Sequence, residues 1–426
     1  MSDQFPQGFL WGTATAAHQV EGNNTNCDFW VMEHLPDTVF AEPSGDAIDH
    51  YHRYPEDIAL LADLGFNSYR FSVEWARVEP ENGRFSTAAL DHYRRMCETC
   101  LAHGLKPVVT YHHFTSPRWL ISQGGWENGE TAEKFARYAA KVTQHLGDLL
   151  EAVCTINEVN IPRMAAMLWM TGGSDDSFAR RAAQALHATP EQFAPFLFAG
   201  TAQGRDVILA AHHQARAAIK AERPSLPVGL TIAMSDMQAL PGGEAVRDQM
   251  RWELQDVFLE AAREDDFVGV QTYSRDRYGP DGPLGPEEGV ELTQMGYEFW
   301  PQAIGATLRR AHEVTGLPLM VTENGIGTKD DGRRLAYYQT ALQSVLAGLQ
   351  EGLDVRGYFA WSAFDNFEWM LGYEPTFGLI AVDRSTQQRT IKPSARWLSQ
   401  VAQASQVAQA SQVAQASLIV GANGWG

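Results

Sequence analysis

Short apolar runs alternate along the chain with longer stretches in which apolar residues return every three or four positions. The runs lie at 9–16, 66–73, 106–113, 152–157, 227–233, 267–273, 317–323 and 357–362. Each is brief and rich in β-branched or aromatic residues, as in AVCTIN and LPLMVTE, which is how a parallel strand buried on both faces reads. Helix-length segments fill the intervals, at 46–64, 86–103, 130–150, 200–221, 246–263, 298–315 and 333–351. Ser86 offers an N-cap, and Gly104, Gly316 and Gly352 stand where helices end. Pro55 lacks the N–H that a helix interior needs, so 46–64 predicts a short helix followed by a longer one.

Eight strands alternating with helices predict an α/β fold, a single (β/α)8 barrel with long βα loops over its C-terminal face. Two segments predict such loops. Residues 160–200 read as a long loop or a small helical excursion, and residues 274–297, rich in Gly, Pro and acidic residues, as a second long loop. Residues 399–416 are three copies of SQVAQA, and 399–426 read as a repetitive tail, a helix extension or a disordered segment. A six-residue period fits no coiled-coil seam.

Composition narrows the partners. The chain has 426 residues, and Lys+Arg 33 against Asp+Glu 52 gives a net charge of −19. Such a surface repels phosphate backbones and anionic lipid, so neither nucleic acid nor membrane is expected as a partner. No apolar stretch predicts a membrane span, and MSDQFPQGFLWG has no signal-peptide pattern, so the expected compartment is cytoplasmic. No oligomeric partner is legible. Four cysteines make no disulfide framework, and the Cys97/Cys100 pair reads as structural. Neither His112-His113 nor His212-His213 has a third ligand at metal spacing, and no phosphate-binding glycine loop occurs, so no metal and no cofactor is expected.

Barrels of this kind carry their chemistry at the C-terminal ends of strands. Those ends hold Gln19, Arg70, His112 and His113, Asn157 and Glu158, Tyr273, Glu323, and Trp361. Glu158 and Glu323 stand out, each closing an apolar strand beside a polar neighbour in TINE and TENG. Two buried carboxylates are costly together unless they work with cationic or hydrogen-bonding partners. A pair flanking one site is what glycoside hydrolysis requires.

Six motifs in order then resemble glycoside hydrolase family 1, the retaining β-glucosidase family. They are FPQGFLWGTATAAHQVEG (5–22), YRFSVEWARVEP (69–80), TINE (155–158), VTENG (321–325), YFAWSAFDNFEW (358–369) and FGLIAVD (377–383). The resemblance runs from about residue 5 to about residue 398 and implies a catalytic domain over 1–398. It implies Glu323 as nucleophile and Glu158 as general acid/base. Arg70 would keep Glu323 ionised, Tyr273 would orient it, and Asn157 would hold the sugar 2-hydroxyl. Gln19, His113, Glu368 and Trp369 would bind the other hydroxyls over a floor formed by Trp361. The spacing to Pro117 favours His113 over His112 for the pocket. The implied substrate is a small-molecule or oligosaccharide β-glycoside with a terminal β-D-glucosyl residue, galactosyl and fucosyl being further candidates.

This sequence departs from the family pattern in places. Val159 follows the acid/base where proline is usual, and Gln271-Thr272-Tyr273 stands for Asn-Tyr-Tyr. Phe114 replaces a common tryptophan, and Thr376 a common arginine. Glu368 disfavours a 6-phosphate on the sugar. A transglycosylase would use the same residues, while a sugar-binding pseudoenzyme would not need both carboxylates.

Overall fold

The computed structural model describes residues 5–172 and 176–422. Its centre is eight parallel strands: β1 (Leu10–Ala14), β2 (Ser68–Ser72), β3 (Lys106–His112), β4 (Ala152–Ile156), β5 (Val228–Gly229 and Thr231–Ala239), β6 (Val268–Gly279), β7 (Leu319–Asn324) and β8 (Val355–Trp361). Hydrogen-bonded neighbours run from Val228–Gly229 through β4, β3, β2, β1, β8, β7 and β6 to Thr231–Ala239. Those two ends belong to one strand, joined through Leu230, so the sheet returns on itself. At the seam the Leu230 carbonyl accepts from the Gly269 N–H at 2.9 Å, and the Pro227 carbonyl from the Val153 N–H at 2.9 Å. Both edges of β5 are therefore paired, and the sheet is a closed (β/α)8 barrel.

Two apolar layers hold it. One lies between strands and helices and contains Trp75, Trp126, Tyr138 and Tyr337. The other fills the interior with Leu10, Val108, Phe267, Met320 and Phe359. Gly12 is needed there: a Cβ on it would stand 2.6 Å from the Phe359 ring. The four cysteines are free and buried, and Cys97 and Cys100 lie on the core face of helix Thr87–Ala102. The Ser86 hydroxyl caps that helix by accepting from the Ala89 N–H. Among the described residues, no helix is long and apolar enough to cross a membrane.

Three elements differ from the sequence expectation. His50–Asp63 is one helix with Pro55 inside it. Pro55 lies on the exposed side of the helix, which runs through it unbroken. β5 and β6 run on past the barrel to the pair Ala239↔Tyr278, and Gly282–Leu284 turns back along β6. That ribbon mixes apolar and polar positions, so a search for unbroken apolar runs stops at its base. Helix Glu244–Arg251 passes into a π-helical turn at Trp252–Asp256 before Val257–Ala261. The segment after β4 forms helices Ile161–Gly172 and Asp176–Ala185.

The tail continues the last helix, Pro393–Ala422, and residues 423–426 lie outside the described residues. Its start docks on the barrel. The Ser399 hydroxyl and the Gln403 amide donate to the Leu64 carbonyl, and Gln406 donates to the Gly65 carbonyl at 3.1 Å. These bonds cap the C-terminal end of helix His50–Asp63, whose last carbonyls have no helical partner. Replacing buried Ser399 by alanine should lower stability by about 1 kcal/mol, read as an earlier denaturant midpoint with an unchanged slope.

Candidate active site

At the C-terminal mouth of the barrel, β2 carries the buried guanidinium of Arg70. Its Nη1 donates to Glu323 Oε1 at 2.7 Å, and its Nη2 to Asn157 Oδ1 at 2.6 Å. The other Glu323 oxygen accepts from the Tyr273 hydroxyl at 2.7 Å. β2, β4, β6 and β7 thus meet through one cation. Burial pulls the Arg70 pKa down, but the Cys154 sulfur and Glu323 more than restore it, and it stays above the ordinary arginine value. Burial pushes the Tyr273 phenol well up, with the Glu323 charge adding to it, so the phenol stays a donor.

Glu158 follows β4 in the left-handed region, φ 47°. Its N–H donates to Thr231 Oγ1 at 2.9 Å, and the Val159 N–H to the Thr231 carbonyl at 3.1 Å, which fixes this turn against β5. Burial raises the Glu158 pKa well above the usual carboxylate range, and the charge of Glu323 raises it further. Glu323 is raised too, because burial outweighs the opposing pull of Arg70 and Tyr273. Arg70 therefore lowers the Glu323 pKa, as a neighbouring cation does, against the larger effect of burial. It limits the rise, and Glu158 is the member of the pair that keeps the proton.

The remaining predicted positions surround these. Gln19 Nε2 donates to the Phe367 carbonyl at 2.7 Å and lies 3.4 Å from Glu368 Oε2. Asn157 Nδ2 lies 3.1 Å from His113 Nε2. The His113 ring is near-parallel to Trp361 and Trp369, with centroids 5.9 Å and 6.1 Å away. Burial, then Arg70, pushes the His113 pKa well below its ordinary value, so the ring is neutral. Burial and Glu323 push Glu368 well up. Gln19 Oε1, His113 Nδ1 and Glu368 Oε1 are buried and have no partner among the described residues. Buried polar atoms normally have partners, and these three, on side chains beside Trp361 and Trp369, are free to bond the hydroxyls of a ligand.

His112 goes the other way. Val108 faces the interior, and strict alternation would bring His112 there too. Instead its ring packs on Trp126 and Phe196 at 4.6 Å and 4.8 Å, and its Nε2 meets Ser116 Oγ at 3.1 Å. The strand end breaks alternation, and His113 enters the pocket. Behind Trp369 stand His18, near-parallel at 5.9 Å, Phe29 at 5.2 Å and Phe114 at 5.0 Å. Phe114 thus serves as a packing partner at the position where tryptophan is common. His212 bonds Thr155 and Asp265 outside the barrel mouth.

Sequence reasoning missed three contributors. Asn160 accepts from the Ala233 N–H at 2.9 Å and donates to the carbonyls of Ala233 and Leu254, both at 2.7 Å. It ties the turn carrying Glu158 to β5 and to the π-helical turn. Thr231 holds the Glu158 backbone, and Gln271 reaches Asn157 Oδ1 at 2.8 Å. Only the unusual Gln271-Thr272-Tyr273 sequence hinted at the last. The loop after β6 also returns to the mouth. Met295 packs against the interior cluster that includes Trp361 and Phe359.

The sequence model of Glycosyl hydrolase family 1 matches residues 1–268 and 260–407. The chain is 33% identical to beta-glucosidase A of Thermotoga maritima, over 94% of this chain and 98% of that one. It is also 33% identical to a bifunctional beta-D-glucosidase/beta-D-fucosidase of Bifidobacterium breve, over 92% and 97%. Among solved structures, beta-glycosidase BGL167 superposes with a TM-score of 0.90 at 59% identity, covering 93% of this chain and 97% of that one. The Thermotoga maritima beta-glucosidase in complex with glucoimidazole gives a TM-score of 0.82 at 29% identity, covering 95% and 100%.

Asn160→Ala should leave the Ala233 and Leu254 backbone groups without their bonds inside the protein. A loss of roughly 3 kcal/mol is expected, measured by denaturant unfolding.

Proposed function

The chain belongs to glycosyl hydrolase family 1, and from that premise we propose how its own side chains carry out retaining hydrolysis of terminal, non-reducing β-D-glucosyl residues. The single observation that carries the reading is the unequal treatment of two buried carboxyls. Glu323 is gripped by Arg70 and Tyr273 at 2.7 Å each, while Glu158 is left with burial and a neighbouring charge that favour its protonated form.

In this reading Glu158 protonates the glycosidic oxygen as Glu323 attacks the anomeric carbon. A glycosyl ester forms, and the aglycone leaves with the proton. The ester has no net charge, so the part of the Glu158 shift that came from the Glu323 charge is lost, while burial remains. Its pKa falls, and it can take a proton from the incoming water as base. Water attacks the same face from which the aglycone left, so two inversions restore the β configuration. Tyr273 and Arg70 follow the charge on Glu323 through both steps. Asn157 holds the 2-hydroxyl, a contact that strengthens as the anomeric carbon gains positive charge.

We assign Gln19, His113, Glu368 and Trp369 to the other sugar hydroxyls, with Trp361 as the floor. The three open polar atoms of this group support the assignment. A β-glucosidase/β-fucosidase relative makes fucosides a natural second substrate to test. Four free, buried cysteines are in keeping with a cytoplasmic setting.

Release of nitrophenol from aryl β-D-glycosides tests the reading directly. Glucosides should turn over with retention, and Glu323→Gln should lose activity on the order of a thousandfold or more while staying folded. Turnover that survives the substitution would remove Glu323 from the chemistry. The pH dependence has a fixed sign. Activity needs Glu323 ionised and Glu158 protonated, so kcat/KM should fall on the acid side as Glu323 gains its proton. It should fall on the alkaline side as Glu158 loses its own, above the ordinary carboxylate range. In the folded Glu323→Gln protein the Glu158 pKa should drop, measured by carboxyl NMR titration, because the neighbouring charge is gone.

A further inference from the structure

Asn157 Oδ1 receives three donors: Arg70 Nη2 at 2.6 Å, Gln271 Nε2 at 2.8 Å and Thr231 Oγ1 at 3.3 Å. A guanidinium only donates, so the Asn157 oxygen must face it, and the amide nitrogen must face His113. Arg70 decides which way the amide points. A single N–H···O bond is a pivot, so Arg70 alone does not stop the amide plane from swinging about it. Gln271, on β6 opposite Glu323 in register, comes at the same oxygen from another strand.

Gln271 is fully buried, and its own Oε1 has no partner among the described residues. A side chain kept only to fill space would carry no orphaned amide oxygen, since an apolar chain of that length fills the same volume without desolvating a polar group. The donor end of Gln271 is the end that is bonded, to Asn157 Oδ1 at 2.8 Å.

We propose that Gln271 is a positioning residue that fixes the plane of the Asn157 amide and so aims Asn157 Nδ2 at the sugar 2-hydroxyl. This rests on the reading of Asn157 as the 2-hydroxyl contact. Gln271 acts through Asn157 and touches no reacting atom. Its effect belongs to the transition state, where the 2-hydroxyl contact tightens.

The test compares an aryl β-D-glucoside with its 2-deoxy analogue, which has no hydroxyl for Asn157 to hold. Gln271→Met keeps the length of the side chain and removes the donor. It should lower kcat/KM on the glucoside about tenfold or more, as a misaimed contact does, and change the 2-deoxy substrate by about twofold or less. The loss should lie in kcat more than in KM. Combined with Asn157→Ala, it should add little further loss. Should Gln271→Met not fold, Gln271→Leu, which also removes the donor, is held to the same ratio. Equal losses on both substrates, or none on either, overturn the proposal. The Asn157→Ala protein separates the two layers. If it spares the 2-deoxy substrate while the Gln271 variant does not discriminate, the positioning role alone fails. If Asn157→Ala hits both substrates equally, the reading of Asn157 fails and takes the proposal with it.

Discussion

A permanent positive charge sealed inside a barrel must be balanced, and at Arg70 the balancing groups come from separate strands. One edge of the guanidinium meets the Glu323 carboxylate on β7 and the other meets the Asn157 amide after β4. Buried ions gain little in stability over an apolar core of the same shape, because desolvation offsets their attraction. What they fix is geometry. A planar fork bonded on two sides has one orientation, and it transmits that orientation to a carboxylate and an amide at once. Tyr273, Thr231 and Gln271 then fasten what Arg70 has placed.

The two carboxyls differ by surroundings rather than by residue type. Both are glutamates at strand ends and both are buried, so each is biased towards its neutral form. Glu323 has a cation and a phenol to hold its charge, and Glu158 faces that charge. The proton is thereby assigned to Glu158 before any substrate arrives. Neither His113, which is neutral, nor Tyr273, which keeps its own proton, competes for it.

Much of this was legible in the sequence because parallel strands buried on both faces announce themselves as apolar runs. The residue closing each run then lies at the barrel mouth. That logic reached Arg70, Asn157, Glu158, Tyr273 and Glu323 by position, and motif resemblance added Glu368 and Trp369 beyond the last strand. It failed where the backbone leaves its period. The outward turn of His112 depends on an aromatic box drawn from Trp126 and Phe196, far away in sequence. The ribbon beyond Met234 has the mixed pattern of a solvated sheet, and it reads as loop. The roles of Asn160 and Thr231 lie in contacts to backbone, which leave no pattern in residue type. The reach of Gln271 to Asn157 spans 114 positions and is equally silent.

The closed ring also sets an order in time. Arg70 precedes its carboxylate by 253 residues, and Gln19 precedes Glu368 by 349. At the pace of protein synthesis, about 5–20 residues per second, Arg70 waits roughly 10 to 50 seconds for Glu323 to be made. Through that interval β1, β2 and β3 form at best an open sheet whose inner face carries an unbalanced cation, and that face has to stay wet. Drying of the interior, assembly of the pocket and neutralisation of Arg70 therefore coincide at ring closure, near the end of synthesis. A chain that stops short of β7 has no half-working pocket; it has an open strand edge and a cation without its counterpart.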